Sequence, residues 1–255
     1  MFNEKNKNSA LFIFPLLSNN LNLNTMKTRI LFLGLLLFIL NACIVKSLNP
    51  FYTQNTKVED TFLEGKWTDK NEGVWELLTF ESEIKNYYKK EEFDKDGVKT
   101  TVEVEIKEAD KKLLEEYKNS YFVKYTHKNE EEAYFIATPF EINGQVFLDF
   151  TPFMEGFETG NDLAKYHMIG THSLVKYEKL MDNQIKLTWF DEDVIKDLLD
   201  NDRVKIKHEK IGIEKKYLLT ASSEELTKFL EKFLKNNDTE IWSDNVRYTL
   251  TKNES

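Results

Sequence analysis

Few side chains in this 255-residue chain could serve as nucleophile, metal ligand or proton carrier near neutral pH, and their spacing limits what they can do. There is one thiol, Cys43, and there are four imidazoles, His127, His167, His172 and His208. A single cysteine permits no intramolecular disulfide and no four-cysteine zinc site. Zinc ligands must converge on one point, whereas the five-residue offset between His167 and His172 puts them on opposite faces of any regular strand that spans both. No metal site is assigned. The acidic clusters Glu91-Glu92 and Glu130-Glu131-Glu132 lie in charge runs of the kind that form solvated faces. No His-Glu-x-x-His, nucleophile elbow or phosphate-cradling glycine loop occurs, so neither a catalytic residue nor a cofactor is assigned. With 44 Asp+Glu against 35 Lys+Arg, a net charge of −9 and no arginine cluster, the chain lacks the concentrated positive surface that nucleic acid requires.

Cys43 takes on another chemistry from the residues before it. Met26 opens MKTRILFLGLLLFILNAC, in which Lys27 and Arg29 precede eleven almost wholly apolar residues, Ile30 to Leu40. A hydrocarbon core ~30 Å thick takes about 20 helical residues to cross, so this run is too short to span it. A basic flank, a short apolar run and a small residue before the cut read as a secretory signal. The end of the run, Leu40-Asn41-Ala42-Cys43, resembles the lipobox of bacterial lipoproteins. The resemblance implies cleavage between Ala42 and Cys43 and diacylation of the Cys43 thiol. Each buried methylene contributes about 0.8 kcal/mol, so two or three acyl chains make a durable anchor where one would not. The competing reading is a buried core cysteine after an uncleaved signal anchor.

Four segments follow from this reading: an upstream extension over 1–25, a signal peptide over 26–42, a tether over 43–57 and one domain over 58–255. The tether rests on the polar stretch SLNPFYTQNT with Pro50. Its beginning, Ser47-Leu48-Asn49-Pro50-Phe51-Tyr52, is similar to the start of Bacteroidota lipoproteins, which gives a location and no activity. Surface-displayed members carry an acidic run after the cysteine, and its absence from Ile44 to Asn49 points to the outer membrane with the domain facing the periplasm. Removing residues 1–42 takes away four basic residues and one acidic one, leaving 31 against 43, or about −12. Such a body is repelled by anionic headgroups, so membrane residence must come from the acyl chains.

Elements that could position a site begin at Leu63. Val98 to Lys107 alternates Val, Thr, Val, Val and Ile with Lys, Thr and Glu, which predicts a half-buried strand. Asp96-Gly97 marks a hairpin to a strand over Ile84 to Phe93. Asn143-Gly144 joins strands over 132–142 and 145–151, and Asp182-Asn183 joins 172–180 to 184–190. Further strands are expected over 65–68, 74–81, 121–127, 204–213, 217–220 and 246–251. Short turns between strands imply antiparallel neighbours. Asp191 caps a helix over Glu192 to Leu199, and Ser222 with Glu225 forms a capping box before Leu226, Phe229, Leu230, Phe233 and Leu234 at helical spacing. The expected fold is mainly β (α+β), a single antiparallel barrel-like meander with two amphipathic helices near its C-terminus.

Leu63-Glu64-Gly65-Lys66-Trp67 resembles the Gly-x-Trp opening of lipocalins and related calycin barrels. The resemblance implies that Trp67 plugs the closed end and that Arg247 lies across its ring, a structural contact of about 0.5 to 2 kcal/mol. The densest aromatic stretch, Pro139 to Phe157, offers Phe147, Phe150, Phe153, Met154 and Phe157 as the mouth of an apolar pocket, or as a loop folded over core.

Two functions remain open: a non-enzymatic envelope lipoprotein whose barrel binds an apolar small molecule or lipid, and a module that recruits another envelope protein. If translation starts at Met26 and Cys43 is the mature terminus, tryptic mass spectrometry of membrane-extracted protein will contain acylated Cys43. A single peptide from before Met26 would overturn that assignment.

Overall fold

The structure, a computed structural model, describes residues 44–93, 99–128, 132–153, 168–180, 183–235 and 242–253. Thirteen strands lie among them in chain order: β1 (Lys46–Ser47), β2 (Gly65–Asp69), β3 (Gly73–Thr79), β4 (Lys89–Phe93), β5 (Lys99–Glu103), β6 (Tyr121–His127), β7 (Ala133–Ile142), β8 (Gln145–Pro152), β9 (Ser173–Lys179), β10 (Gln184–Phe190), β11 (His208–Ile211), β12 (Lys216–Leu219) and β13 (Trp242–Lys252). Eight of them close an antiparallel barrel in the order β10-β13-β2-β3-β6-β7-β8-β9. Closure removes every exposed strand edge from this sheet. The Asn143-Gly144 turn has φ of +53° and +79°, the two left-handed positions that match the twist of a tight hairpin.

Period-2 alternation sends Trp67, Leu77, Val123, Leu148, Val175, Ile185, Leu187 and Leu250 into the barrel, where each is almost fully buried. The outer face of β7 to β10 is apolar too. Phe140, Phe147, Leu174 and Phe190 point outward and are covered by a second layer. That layer contains the helices α3 (Glu192–Asp200) and α4 (Ser223–Leu234), which follow α1 (Phe80–Tyr87) and α2 (Glu108–Glu116) in the chain. Asp191 and Ser222 cap α3 and α4 as expected, each side chain accepting a backbone N–H from the first turn. Ile195, Leu198, Leu226, Leu230 and Phe233 are their buried edges.

Three expectations about elements are corrected. Ile84 to Tyr87 is helical, because the Thr79 side chain accepts the Ser82 N–H and starts α1 where β3 stops. The strand expected over 98–107 is the shorter β5, paired with β4 in a two-stranded sheet outside the barrel. Val102 and Val104 are about 40 % exposed, since no layer covers them. The turn residues Asp96, Gly97 and Asp182 lie outside the described residues. Residues 44–57, expected as a tether, form part of the fold. Val45, Ser47, Phe51 and Tyr52 are all buried, and burying a Phe or Val completely contributes about 1.5 to 3 kcal/mol. Proline and polar residues mark this stretch as irregular, but its alternate apolar side chains find a ready surface on the outside of the barrel.

The segment is also held by polar contacts. Val45 N–H donates to the Phe190 carbonyl, and Ser47 exchanges two backbone hydrogen bonds with His172, at 2.9 and 2.8 Å. Asp149, on the outer face of β8 and 1 % exposed, accepts the Phe51 N–H at 2.9 Å and meets His172 Nδ1 at 2.6 Å. Replacing Asp149 with Ala strips the buried Phe51 N–H of its acceptor and the part-buried His172 ring of its partner. Urea unfolding is expected to register a loss of about 3 kcal/mol. Lys66→Ala, which breaks only an exposed pair with Glu76, should stay within about 0.5 kcal/mol. Equal midpoints for the two variants would show that apolar burial alone retains the segment.

Candidate functional site

The sequence-derived site residues separate in space. Trp67 is fully buried at one end of the barrel, and its Nε1–H donates to the Leu63 carbonyl at 2.9 Å. The cation over its ring is Lys252, not Arg247: Lys252 Nζ lies 5.1 Å from the ring centroids of both Trp67 and Phe62 and donates to the Phe62 carbonyl. Arg247 pairs across from Thr188 farther along β13 and is exposed. Antiparallel register explains the exchange, since β13 meets β2 through Leu250, Thr251 and Lys252. Gly65 makes room for it, because a Cβ there would stand 3.0 Å from Lys252 Cε, and its φ of +131° also favours glycine.

Among the described residues, the rings expected to form a ligand mouth do not converge. Phe147 points out of the barrel and stacks with Trp242 at 5.8 Å. Phe150 points inward against Phe135 and Trp189. Phe153 packs edge-on against Phe122. Met154 and Phe157 lie outside the described residues, as do Ala42, Cys43 and His167. Inside the barrel Trp75, Tyr125, Trp189 and Tyr248 form a chain of ring contacts between 4.4 and 6.4 Å. Burial pushes the hydroxyls of Tyr177 and Tyr248 up, and Tyr121, buried beside Asp60, is pushed up to about 12. These phenols stay neutral at physiological pH, and they belong to one packed cluster with the neighbouring rings.

The three described histidines stand apart: His172 on Asp149, His127 beside Tyr125, and His208 against Tyr217. Among the described residues no three His, Cys, Asp or Glu side chains cluster as metal ligands would.

A concave site appears instead in the outer layer, between the end of α3, the extended chain 203–207 and α4. It encloses about 790 Å³, within the range of small-ligand pockets. Leu198, Val204, Ile206, Phe229 and Phe233 supply its apolar lining. Arg203, Lys205, Lys207, Lys228 and Lys232 supply five cations, with Glu225 the one carboxylate among the lining residues. Local geometry produces this arrangement. Alternation along 203–207 turns Val204 and Ile206 inward and the three basic residues out. Helical spacing puts Glu225, Lys228, Phe229 and Lys232 on one face of α4.

Glu225 is already engaged. It closes the capping box by accepting the Ser222 N–H at 3.0 Å and pairs with Lys207 at 3.2 Å, and these contacts hold its carboxyl below the usual range. Arg203 pairs with Asp197 at 3.1 Å, outside the lining. The groove therefore offers positive charge above an apolar floor, with its one carboxylate already engaged by the Lys207–Glu225 pair that spans it. Sequence reading missed it because its two halves are about twenty residues apart and the basic residues of each half look like ordinary surface. The alternation Arg203-x-Lys205-x-Lys207 was the available signal, read there as the opening of a strand that in fact starts at His208. The chain matches no family model, no curated protein and no solved structure.

Proposed function

We propose that this chain is a bacterial envelope lipoprotein, anchored to the outer membrane through acyl groups on Cys43 and facing the periplasm, whose domain binds an anionic lipid without turning it over. The observation that carries the ligand reading is the α3–α4 groove: five cations around an apolar-lined space of about 790 Å³. A molecule with a carboxylate or phosphate head and an alkyl tail satisfies both parts, placing its charge among the lysines and its chain over Phe229 and Phe233. The barrel acts as a scaffold in this reading. Its inward side chains are already packed against one another, and the outer face of β7 to β10 supplies the surface on which the groove is built. The anchor reading rests on the Leu40-Asn41-Ala42-Cys43 motif and the basic-apolar segment before it.

One observation favours the second reading, an assembly module for another envelope protein. β11 is an edge of the three-stranded sheet β1-β12-β11, with one side open to strand addition among the described residues.

Soluble Cys43→Ser protein titrated calorimetrically with a long-chain fatty acid and the matching fatty alcohol, both below their micelle concentrations, separates the possibilities. The carboxylate should bind about tenfold tighter than the alcohol, a difference of about 1.4 kcal/mol. Lys228→Glu with Lys232→Glu should abolish that margin and lower stability by no more than about 1 kcal/mol, since both side chains are exposed and Lys232 is the last-turn base of α4. Equal affinities, or indifference to the double substitution, would overturn the groove reading. A protein retained in stoichiometric amount by membrane-extracted material in native mass spectrometry would favour assembly.

A further inference from the structure

The register of the outer sheet says which part of the domain lies beside the anchor. β1 runs parallel to β12, with Lys46 opposite Leu218 and Ser47 opposite Leu219. Continued backward by the same register, Ile44 comes level with Lys216. The β11–β12 hairpin tip, Gly212 to Lys215, thus lies at the end of the sheet where the chain enters the fold. No slack separates the two. Ile44 is bridged to Asp191 and Val45 is bonded to Phe190, so the chain is fixed in the fold from the first described residue.

That tip is built unlike a solvent-facing turn. Ile213 is fully exposed and Ile211 is 44 % exposed, two large apolar side chains on one short hairpin. Cross-strand pairing places Ile211 and Lys216 on one face, which Lys46 shares. The other charged groups around the tip are Lys210, paired with Asp200 at 3.2 Å, Glu214, paired with Lys216 at 2.9 Å, and Lys215, Glu209 and Asp191. Gly212 at φ +70° and Lys215 at φ +53° close the turn, with Lys215 N–H donating to the Gly212 carbonyl, so the backbone that presents Ile213 is formed in advance.

We propose that the β11–β12 hairpin tip docks on the bilayer that holds the anchor, with Ile213 and Ile211 entering the headgroup boundary and Lys46, Lys210, Lys215 and Lys216 at headgroup level. This rests on the reading of Cys43 as the acylated residue. It commits to the lipid surface because the anchor leaves the domain no reach: a tether of 15 residues would let it explore tens of ångströms, whereas a chain pinned at Ile44 holds the hairpin against the membrane. Apolar tips flanked by lysines suit that boundary, where the isoleucine meets acyl chains and the ammonium groups meet phosphate. The lipid groove opens at the other end of β11, about 13 Å away at the rise of a strand. The domain so placed would take its ligand at the membrane surface.

Hydrogen–deuterium exchange tests this on the mature acylated protein reconstituted in vesicles of phosphatidylethanolamine and phosphatidylglycerol. Amides of 211–216 should exchange about tenfold slower than in soluble Cys43→Ser protein. Ile213→Asp should return them to the solution rate while the protein stays in the membrane fraction. With acyl groups verified by intact mass, a hairpin that exchanges at its solution rate, or one that is equally protected in Ile213→Asp, overturns the docking and leaves the anchor standing. Protection that grows with concentration in the soluble form would assign the tip to a second copy of the chain and also overturn it. If intact mass shows no acyl group, the anchor reading falls. Coupling Cys43 to a maleimide-headgroup lipid then recreates the same zero-length attachment, and protection of the hairpin decides whether the surface itself is membrane-seeking.

Discussion

The Asp149 carboxylate joins the two halves of this structure. It lies on the outer face of β8 with almost no access to water, where an unpaired charge would be costly, and it is satisfied by Phe51 N–H and by His172. Those contacts hold residues 44–52 against the barrel. The same segment supplies β1, and β1 ties β12 and β11 into the fold. The hydrophobic effect favours covering the outward-facing Phe140, Phe147, Leu174 and Phe190 without specifying by what. The polar contacts at Asp149 and His172 give the cover its register.

The outcome is a barrel whose inside and outside are both dry along β7 to β10. An up-and-down barrel of eight strands has an interior just large enough for side chains to fill. Here bulky rings pack against one another inside it, and Lys252 lies over Trp67 and Phe62. In the proposed reading binding capacity is displaced to the second layer, where two helices and an extended segment leave a groove. Charge follows the same displacement. The chain is acidic as a whole, with a net charge of −9, yet five basic residues converge on one concavity, and a surface potential is set by such local arrangements as much as by net charge.

Under the proposed anchoring, attachment and orientation are linked by the same segment. In a lipoprotein with a free linker, anchoring determines only that the domain stays near a membrane. When the first residues after the anchor are strand residues bonded on both sides, anchoring also determines which face meets the membrane. On this reading the docked hairpin, the groove and the scaffold are successive consequences of burying Val45, Ser47 and Phe51.

Much of this was legible in residues alone. Asn143-Gly144 marked its hairpin because left-handed φ values are cheap only for such residues, and Ser222 with Glu225 marked α4 because capping is a local reaction of the backbone. Alternation gave the antiparallel meander, which closes as a barrel. Local rules failed where a distant surface decided. Residues 44–57 read as a tether because proline and polar residues are abundant there, and only the apolar outer wall of the barrel turned Phe51 and Tyr52 into core. Arg247 follows from chain position alone, as the one arginine late in the chain, whereas Lys252 over Trp67 follows from strand register. Of the groove only the Arg203-x-Lys205-x-Lys207 alternation was legible, since its cations become a site only when 203–207 and α4 face each other. Sequence determined the periodicity, turns, caps and lipobox-like motif, all of which depend on neighbours along the chain. Tertiary structure decided which apolar faces were covered, which cation met Trp67 and where positive charge gathered, because burial and electrostatics act through space.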